Sequence, residues 1–131
     1  MAAPRFLTLD EVLLIHADQI GRYGGSHGVR DLGLLRSAIG MPAAAFGGTY
    51  LHPTLAEKAA AYLFHIGQNH PFLDGNKRAA LATALVFLWL NGQQLDAGED
   101  ELTELAMGVA SGRIRKAELA VFIGDHLRPA D

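Results

Sequence analysis

The chain has 131 residues, half of them hydrophobic and 19% charged, with a formal net charge of -3, which excludes a disordered polyelectrolyte and leaves no general attraction to nucleic acid. A chain of this length is expected to form one domain spanning 1–131 and to bury a core without covalent staples. With no cysteine there are no disulfides, thiolate nucleophiles or Cys-based zinc sites, and with no signal-peptide, lipidation or membrane-spanning pattern in view the expected location is the cytoplasm.

Thr8-Leu9-Asp10-Glu11 reads as a capping box, and Val12, Leu13, Ile15, Ala17 and Ile20 follow at helical spacing, so a first amphipathic helix is expected over about 9–22. The glycine cluster Gly24-Gly25-Ser26-His27-Gly28 ends it. Neither phosphate-binding glycine pattern can be laid on this cluster, which reads as a connecting loop. Asp31 then caps a short helix through Leu32, Leu34, Leu35 and Ile39, closed by Gly40.

Residues 41–53 lack a helical period and carry turn residues at their centre, which fits either a short hairpin-like flap or a surface loop. Thr54-Leu55-Ala56-Glu57 reads as a second capping box, opening a helix to about Gln68 with Ala59, Ala60, Leu63, Phe64 and Ile66 inward. His65 on that helix reads as a packing residue, and the six histidines show no zinc-binding spacing. Ala79 to Leu90 is apolar on every face and, at 12 residues, too short for the roughly 20 needed to cross a bilayer, so it is expected to be the central buried helix. It ends at Asn91-Gly92. Two more helices, Glu99 to Val109 and Lys116 to Leu127, flank a short basic turn, and their apolar residues Leu102, Leu105, Ala106, Leu119, Phe122 and Ile123 are expected to cover the central helix. The expected fold is all-α.

The densest run of chemically capable residues is His70-Pro71-Phe72-Leu73-Asp74-Gly75-Asn76-Lys77-Arg78. Lys77 and Arg78 fall in the first turn of the central helix, where the positive end of the helix dipole disfavours cations unless an anion joins them. Unpaired helix N–H groups, a Lys point charge and an Arg fork together describe a phosphate site. Asp74 and Asn76 are good N-cap residues, Gly75 permits a tight turn, and Asp74 is also a hard oxygen ligand suited to Mg2+. His70, expected to be extended because Pro71 follows it, is the nearest general base, and Phe72 reads as an anchor to the core. Plain turn chemistry with a solvated basic face is the alternative reading of the same residues.

These nine residues resemble the signature of the Fic/Doc family: His, any, Phe, any, Asp or Glu, Gly or Ala, Asn, Gly or Lys, then Arg. The resemblance extends to Arg22-Tyr23-Gly24-Gly25, Asp31 to Ile39 and Leu90-Asn91-Gly92. It implies a helical bundle around a central buried helix, with a β-hairpin-like flap that aligns a target peptide by strand addition. Lys77 stands where the AMP-transferring branch has Gly, and Leu81 where that branch usually has a second Arg, so the resemblance is to the Doc (death-on-curing) branch. That implies a toxin of a toxin–antitoxin pair, with ATP as co-substrate and Mg2+ as cofactor, transferring the γ-phosphoryl to a Ser/Thr hydroxyl of a target protein. Elongation factor Tu is the target the resemblance implies, and arrest of translation the consequence. His70 would be the general base, Asp74 the metal carboxylate, and Gly75, Asn76, Lys77 and Arg78 the phosphate cradle. The family's inhibitory Ser/Thr-to-Glu helix pattern is not found, so restraint is expected from a separate antitoxin protein. AMP transfer and a non-catalytic protein-binding module are the leading alternatives, and a nucleic-acid-binding helical protein is the third, which the acidic balance makes the poorest.

Overall fold

The computed structural model describes residues 3–131 as six helices, α1 (Leu9–Tyr23), α2 (Leu32–Gly40), α3 (Leu55–Asn69), α4 (Asn76–Leu90), α5 (Glu99–Ala110) and α6 (Lys116–His126), with four short strands. Thr8 and Glu11 form a complete capping box and Asp31 accepts from the Leu34 N–H, both as expected. The second expected box is half-formed: the Thr54 side chain accepts from the Glu57 N–H, but the Glu57 carboxylate accepts from the Thr54 hydroxyl instead of its backbone N–H. Strands β1 (Ala45–Phe46) and β2 (Thr49–Tyr50) pair antiparallel across Gly47-Gly48, so the 41–53 segment holds a hairpin preceded by one 3-10 turn over Met41–Ala43. Both glycines have positive φ there, as a two-residue hairpin turn requires.

A second hairpin-like pair was not legible in the sequence. Strands β3 (Gln93–Leu95) and β4 (Leu127–Pro129) pair antiparallel, with Leu95 opposite Leu127, so the last helix stops at His126 and the chain continues as a strand. Each strand is three residues long, too short for alternation to register as a pattern.

The centre of the bundle is α3 rather than α4. Ala56, Lys58, Ala59, Ala60, Ala61, Tyr62, Leu63, Ile66 and Gly67 are all buried on α3, which packs against α2, α4, α5 and α6. Small residues explain the choice, because they let neighbouring helices approach closely. A Cβ on Gly67 would stand 3.1 Å from Val109 Cγ1, and one on Gly124 of α6 3.7 Å from Ala56 Cβ. By contrast α4 buries Ala79, Ala80, Thr83, Ala84, Phe87 and Leu88 but leaves Trp89 63% exposed, so its apolar run is not enclosed on every side. Helix α5 covers both α3 and α4, whereas α6 lies on α3. The buried residues form one contiguous cluster through Val12, Leu35, Tyr62, Phe72, Phe87, Leu105 and Ile123, and each large apolar side chain withdrawn from water contributes about 1.5–3 kcal/mol. No helix among the described residues is long and apolar enough to cross a membrane.

Candidate active site

The loop between α3 and α4, residues 70–75, holds the signature run, and three parts of the chain grip it. At its start His70 is the C-cap of α3 with φ 46° and ψ 55°, the left-handed region, which replaces the extended conformation expected before Pro71. His70 is the one non-glycine residue among those described with positive φ. Such a conformation costs about 1–3 kcal/mol and persists where surrounding contacts over-determine it. Those contacts come from Arg30, whose Nε donates to the His70 carbonyl at 2.7 Å and whose second nitrogen donates to the Asn69 carbonyl at 2.9 Å. The Pro71 carbonyl in turn accepts from the N–H groups of Arg30 and Asp31, and the Leu73 N–H donates to the Gly28 carbonyl.

In the middle of the loop Phe72 is buried and anchors it to the core. The Asn76 side chain clasps the Phe72 residue from both ends, its Oδ1 accepting from the Phe72 N–H at 2.9 Å and its Nδ2 donating to the Phe72 carbonyl at 3.0 Å. Asn76 therefore does not cap α4 with its side chain. That N-cap position belongs to Gly75, at φ 72°, and neither Asp74 nor Asn76 supplies a side-chain cap. The first-turn N–H groups of α4 are left without a side-chain partner, as an anion-receiving helix start requires.

At the end of the loop Asp74 is exposed and aimed by two backbone donors. Its Oδ2 accepts from Ser26 N–H at 3.1 Å and its Oδ1 from Gly75 N–H at 2.9 Å. The Ser26 and Gly75 hydrogen bonds hold its carboxyl below the usual carboxylate range, with smaller help from the charge of Arg78 and then His16, so it is ionised at neutral pH. The glycine cluster is thus more than a connection. A Cβ on Gly25 would lie 2.7 Å from Asp74 Oδ2, so only glycine lets the 24–28 loop come this close.

Lys77 and Arg78 are exposed in the first turn of α4, and neither belongs to an ion pair among the described residues. The Arg78 guanidinium lies 4.9 Å from the centroid of the Tyr23 ring, which orients it without neutralising it. One cleft of about 470 Å3 collects these groups: His70, Asp74, Gly75, Asn76, Lys77 and Arg78 line it together with Leu73, Leu81 of α4 and Thr103, Ala106 and Met107 of α5. All six residues singled out from the sequence therefore border a single cleft.

Among the described residues no three His, Asp or Glu side chains gather as a metal cage. The single exposed carboxylate of Asp74 fits Mg2+, which binds through one or two carboxylates plus substrate phosphates and keeps its waters.

Sequence reasoning passes over two residues. His16 carries no apolar signal for the inner face of α1, yet Val12, His16 and Ile20 are its buried residues and Ala17 is exposed. Its ring stacks on Phe72, centroids 3.8 Å apart and 3° from parallel, and its Nε2 bonds the Asp74 carbonyl at 2.8 Å. Arg30 is the other. Its position directly before the Asp31 cap was the available signal, since whatever anchors the start of α2 also lies beside the end of α3.

A model of the Fic/DOC family matches residues 6–88, a span that holds α1 to α3, the whole loop and all but the last two residues of α4. The chain is 42% identical over 106 residues to "Toxin Doc" of Mycolicibacterium smegmatis, covering 76% of this chain and 82% of that protein. It is 36% identical over 116 residues to "Protein kinase doc" of Escherichia phage P1, covering 88% of this chain and 90% of that one. With the signature loop, the family match and two relatives covered over most of their length in agreement, the chain belongs to the Doc branch of the Fic/DOC family.

Proposed function

We propose that the protein is the toxin of a toxin–antitoxin pair and that it transfers the γ-phosphoryl group of ATP to a Ser or Thr hydroxyl of a target protein. The observation that carries this is the shared cleft: a general base, an aimed carboxylate and two cations at a helix start face one space. His70 takes the proton of the target hydroxyl as its oxygen bonds to the γ-phosphorus, and the bond from that phosphorus to the β–γ bridging oxygen breaks to release ADP. Lys77, Arg78 and the first-turn N–H groups of α4 hold the phosphates and stabilise the charge that spreads over them. Asp74 would hold Mg2+, which supplies charge neutralisation on the phosphates when bound.

Lys77 selects γ-phosphoryl over AMP transfer in this reading, because its side chain fills the space that the Gly of the AMP-transferring branch leaves open. The name of the phage relative, "Protein kinase doc", supports the same choice. Elongation factor Tu is the proposed target, translation arrest the proposed effect, a separate antitoxin protein the proposed restraint, and the cytoplasm the proposed site of action. The hairpin β1–β2, with Phe46 83% exposed, is the proposed edge for the target peptide.

The test incubates the protein with Mg2+ and a bacterial lysate, using ATP labelled at the α or the γ phosphorus, beside a His70→Ala control. Label entering one protein from the γ position alone, and falling by roughly 100-fold or more without His70, is the expected result. Label from the α position would replace the kinase reading with AMP transfer. Silence from both, with toxicity unchanged in His70→Ala, would leave a binding module.

A further inference from the structure

Both polar groups of the Asp74–Gly75 peptide are hydrogen-bonded, and the partner of its carbonyl is a buried side chain outside the signature. A trans peptide sets its C=O and N–H in opposite directions in one plane, so whatever fixes the carbonyl also aims the N–H. Here the Gly75 N–H donates to Asp74 Oδ1 at 2.9 Å, and the carbonyl of the same peptide is bonded by His16 Nε2 at 2.8 Å. One of the two backbone donors that aim the carboxylate, the Gly75 N–H, thus takes its direction from a peptide plane that His16 holds, and the other is the Ser26 N–H on Oδ2. Because a carbonyl only accepts, Nε2 must carry the hydrogen, which both the neutral tautomer and the cation provide.

His16 is itself held rigidly. It is 4% exposed, sits one turn from both Val12 and Ile20 on the inner face of α1, and lies flat on Phe72. Phe72 is clasped by Asn76, and a Cβ on Gly75 would stand 3.7 Å from His16 Nε2, so the ring fills the space directly beneath the loop. Burial of an imidazole against a ring could be satisfied by any aromatic residue. The hydrogen bond to Asp74 could not.

We propose that His16 is a positioning residue of the active site, whose Nε2–H fixes the Asp74–Gly75 peptide and helps through it to aim the carboxylate that would hold Mg2+. The inference rests on the reading of the cleft as a Mg2+–ATP site. It assigns to α1 a role in the chemistry that its place outside the signature loop conceals.

Two pairs of proteins separate the bond from the ring. Wild type against His16→Phe keeps a ring on Phe72 and removes the donor; His16→Gln against His16→Met compares side chains of similar size with and without one. Binding of ATP is measured by titration calorimetry at a series of Mg2+ concentrations, without any target protein, together with thermal melts. The expected result is a loss of Mg2+-dependent ATP affinity by roughly tenfold or more in His16→Phe and His16→Met, the scale seen when a residue supporting a metal ligand is removed, with recovery in His16→Gln. ATP affinity without Mg2+ should change far less. Equal binding by folded His16→Phe and wild type overturns the proposal, as does equal binding by His16→Gln and His16→Met if His16→Phe does not fold. A wild-type protein that binds no ATP at any Mg2+ concentration would sink the nucleotide reading itself, and the assignment of His16 with it.

Discussion

Single residues here act through distances that admit no substitute. Gly25 is the sharpest case, because its φ of 115° demands glycine and a Cβ added there would stand 2.7 Å from Asp74 Oδ2. Gly25→Ala is expected to lower transfer activity by roughly 100-fold, since the displaced group is the Asp74 carboxylate, and also to lower the melting temperature through the strain of alanine at that φ. Gly24→Ala, where nothing lies within 4 Å of the added carbon, is the matched control and should retain most activity despite its own positive φ. Rates and melts on the two variants check this. His65 offers a second prediction, in pH. Burial, then the neighbouring charges of Lys116 and His52, push its pKa from 6.5 down to about 4, and its Nε2 lies 3.1 Å from the Lys116 amine. The folded state therefore favours neutral imidazole, and the stability this brings is complete above pH 6.5 and lost as pH falls toward 4. His52 is depressed by burial in the same direction. Melting temperatures taken from pH 7 to pH 4 should fall for the wild type and fall less for His65→Gln.

At the scale of elements, the active loop is a joint between two helix ends that neighbouring segments hold in place. The C-terminus of α3 presents orphan carbonyls and partial negative charge, and Arg30 meets both with a forked cation. The N-terminus of α4 presents the opposite charge and is left open. Arg30 thus restrains the end that must not move and leaves the end that must receive anions. Arg30→Ala is expected to destabilise the protein by about 1–2 kcal/mol. It should also lower the turnover rate more than it raises the KM for ATP, because it frees the left-handed His70 while leaving the α4 cradle intact. Denaturant melts and steady-state kinetics distinguish this from a general loss of fold, in which the two kinetic constants would be unchanged per folded molecule.

Across the whole molecule, the core is centred on α3 and tied to the N-terminal segment by one buried polar contact. The Tyr62 hydroxyl accepts from the Leu7 N–H at 2.8 Å, and its ring packs on Phe87 with centroids 5.1 Å apart. Tyr62→Phe would leave that buried N–H without a partner and should cost about 1–3 kcal/mol, read from denaturant unfolding. Burial raises the Tyr62 pKa from 10.0 to about 12, so the stability from its neutral form is complete below pH 10 and lost as pH rises toward 12. An alkaline melt series should therefore show a decline in the wild type that Tyr62→Phe lacks.

Local chemistry decided much of this protein. The capping residues Thr8, Asp31 and Thr54 and the stop at Asn91-Gly92 act within one helical turn, so they place helices whatever the rest of the chain does, whereas Gly40 keeps right-handed backbone and the chain runs on into the 3-10 turn. The signature residues could be found for the same reason: the chemistry of nine adjacent positions is compressed onto one loop and one helix start. Tertiary structure decided what depends on distant partners. It made α3 the centre, because an alanine-rich face invites close neighbours while the strongest apolar run keeps Trp89 at the surface. It overrode the local preference of a residue before proline, because Arg30 grips the carbonyl of His70 from 40 positions away. It also brought His16 and Ser26 to Asp74 across 58 and 48 positions, contacts that no local pattern in either stretch can announce.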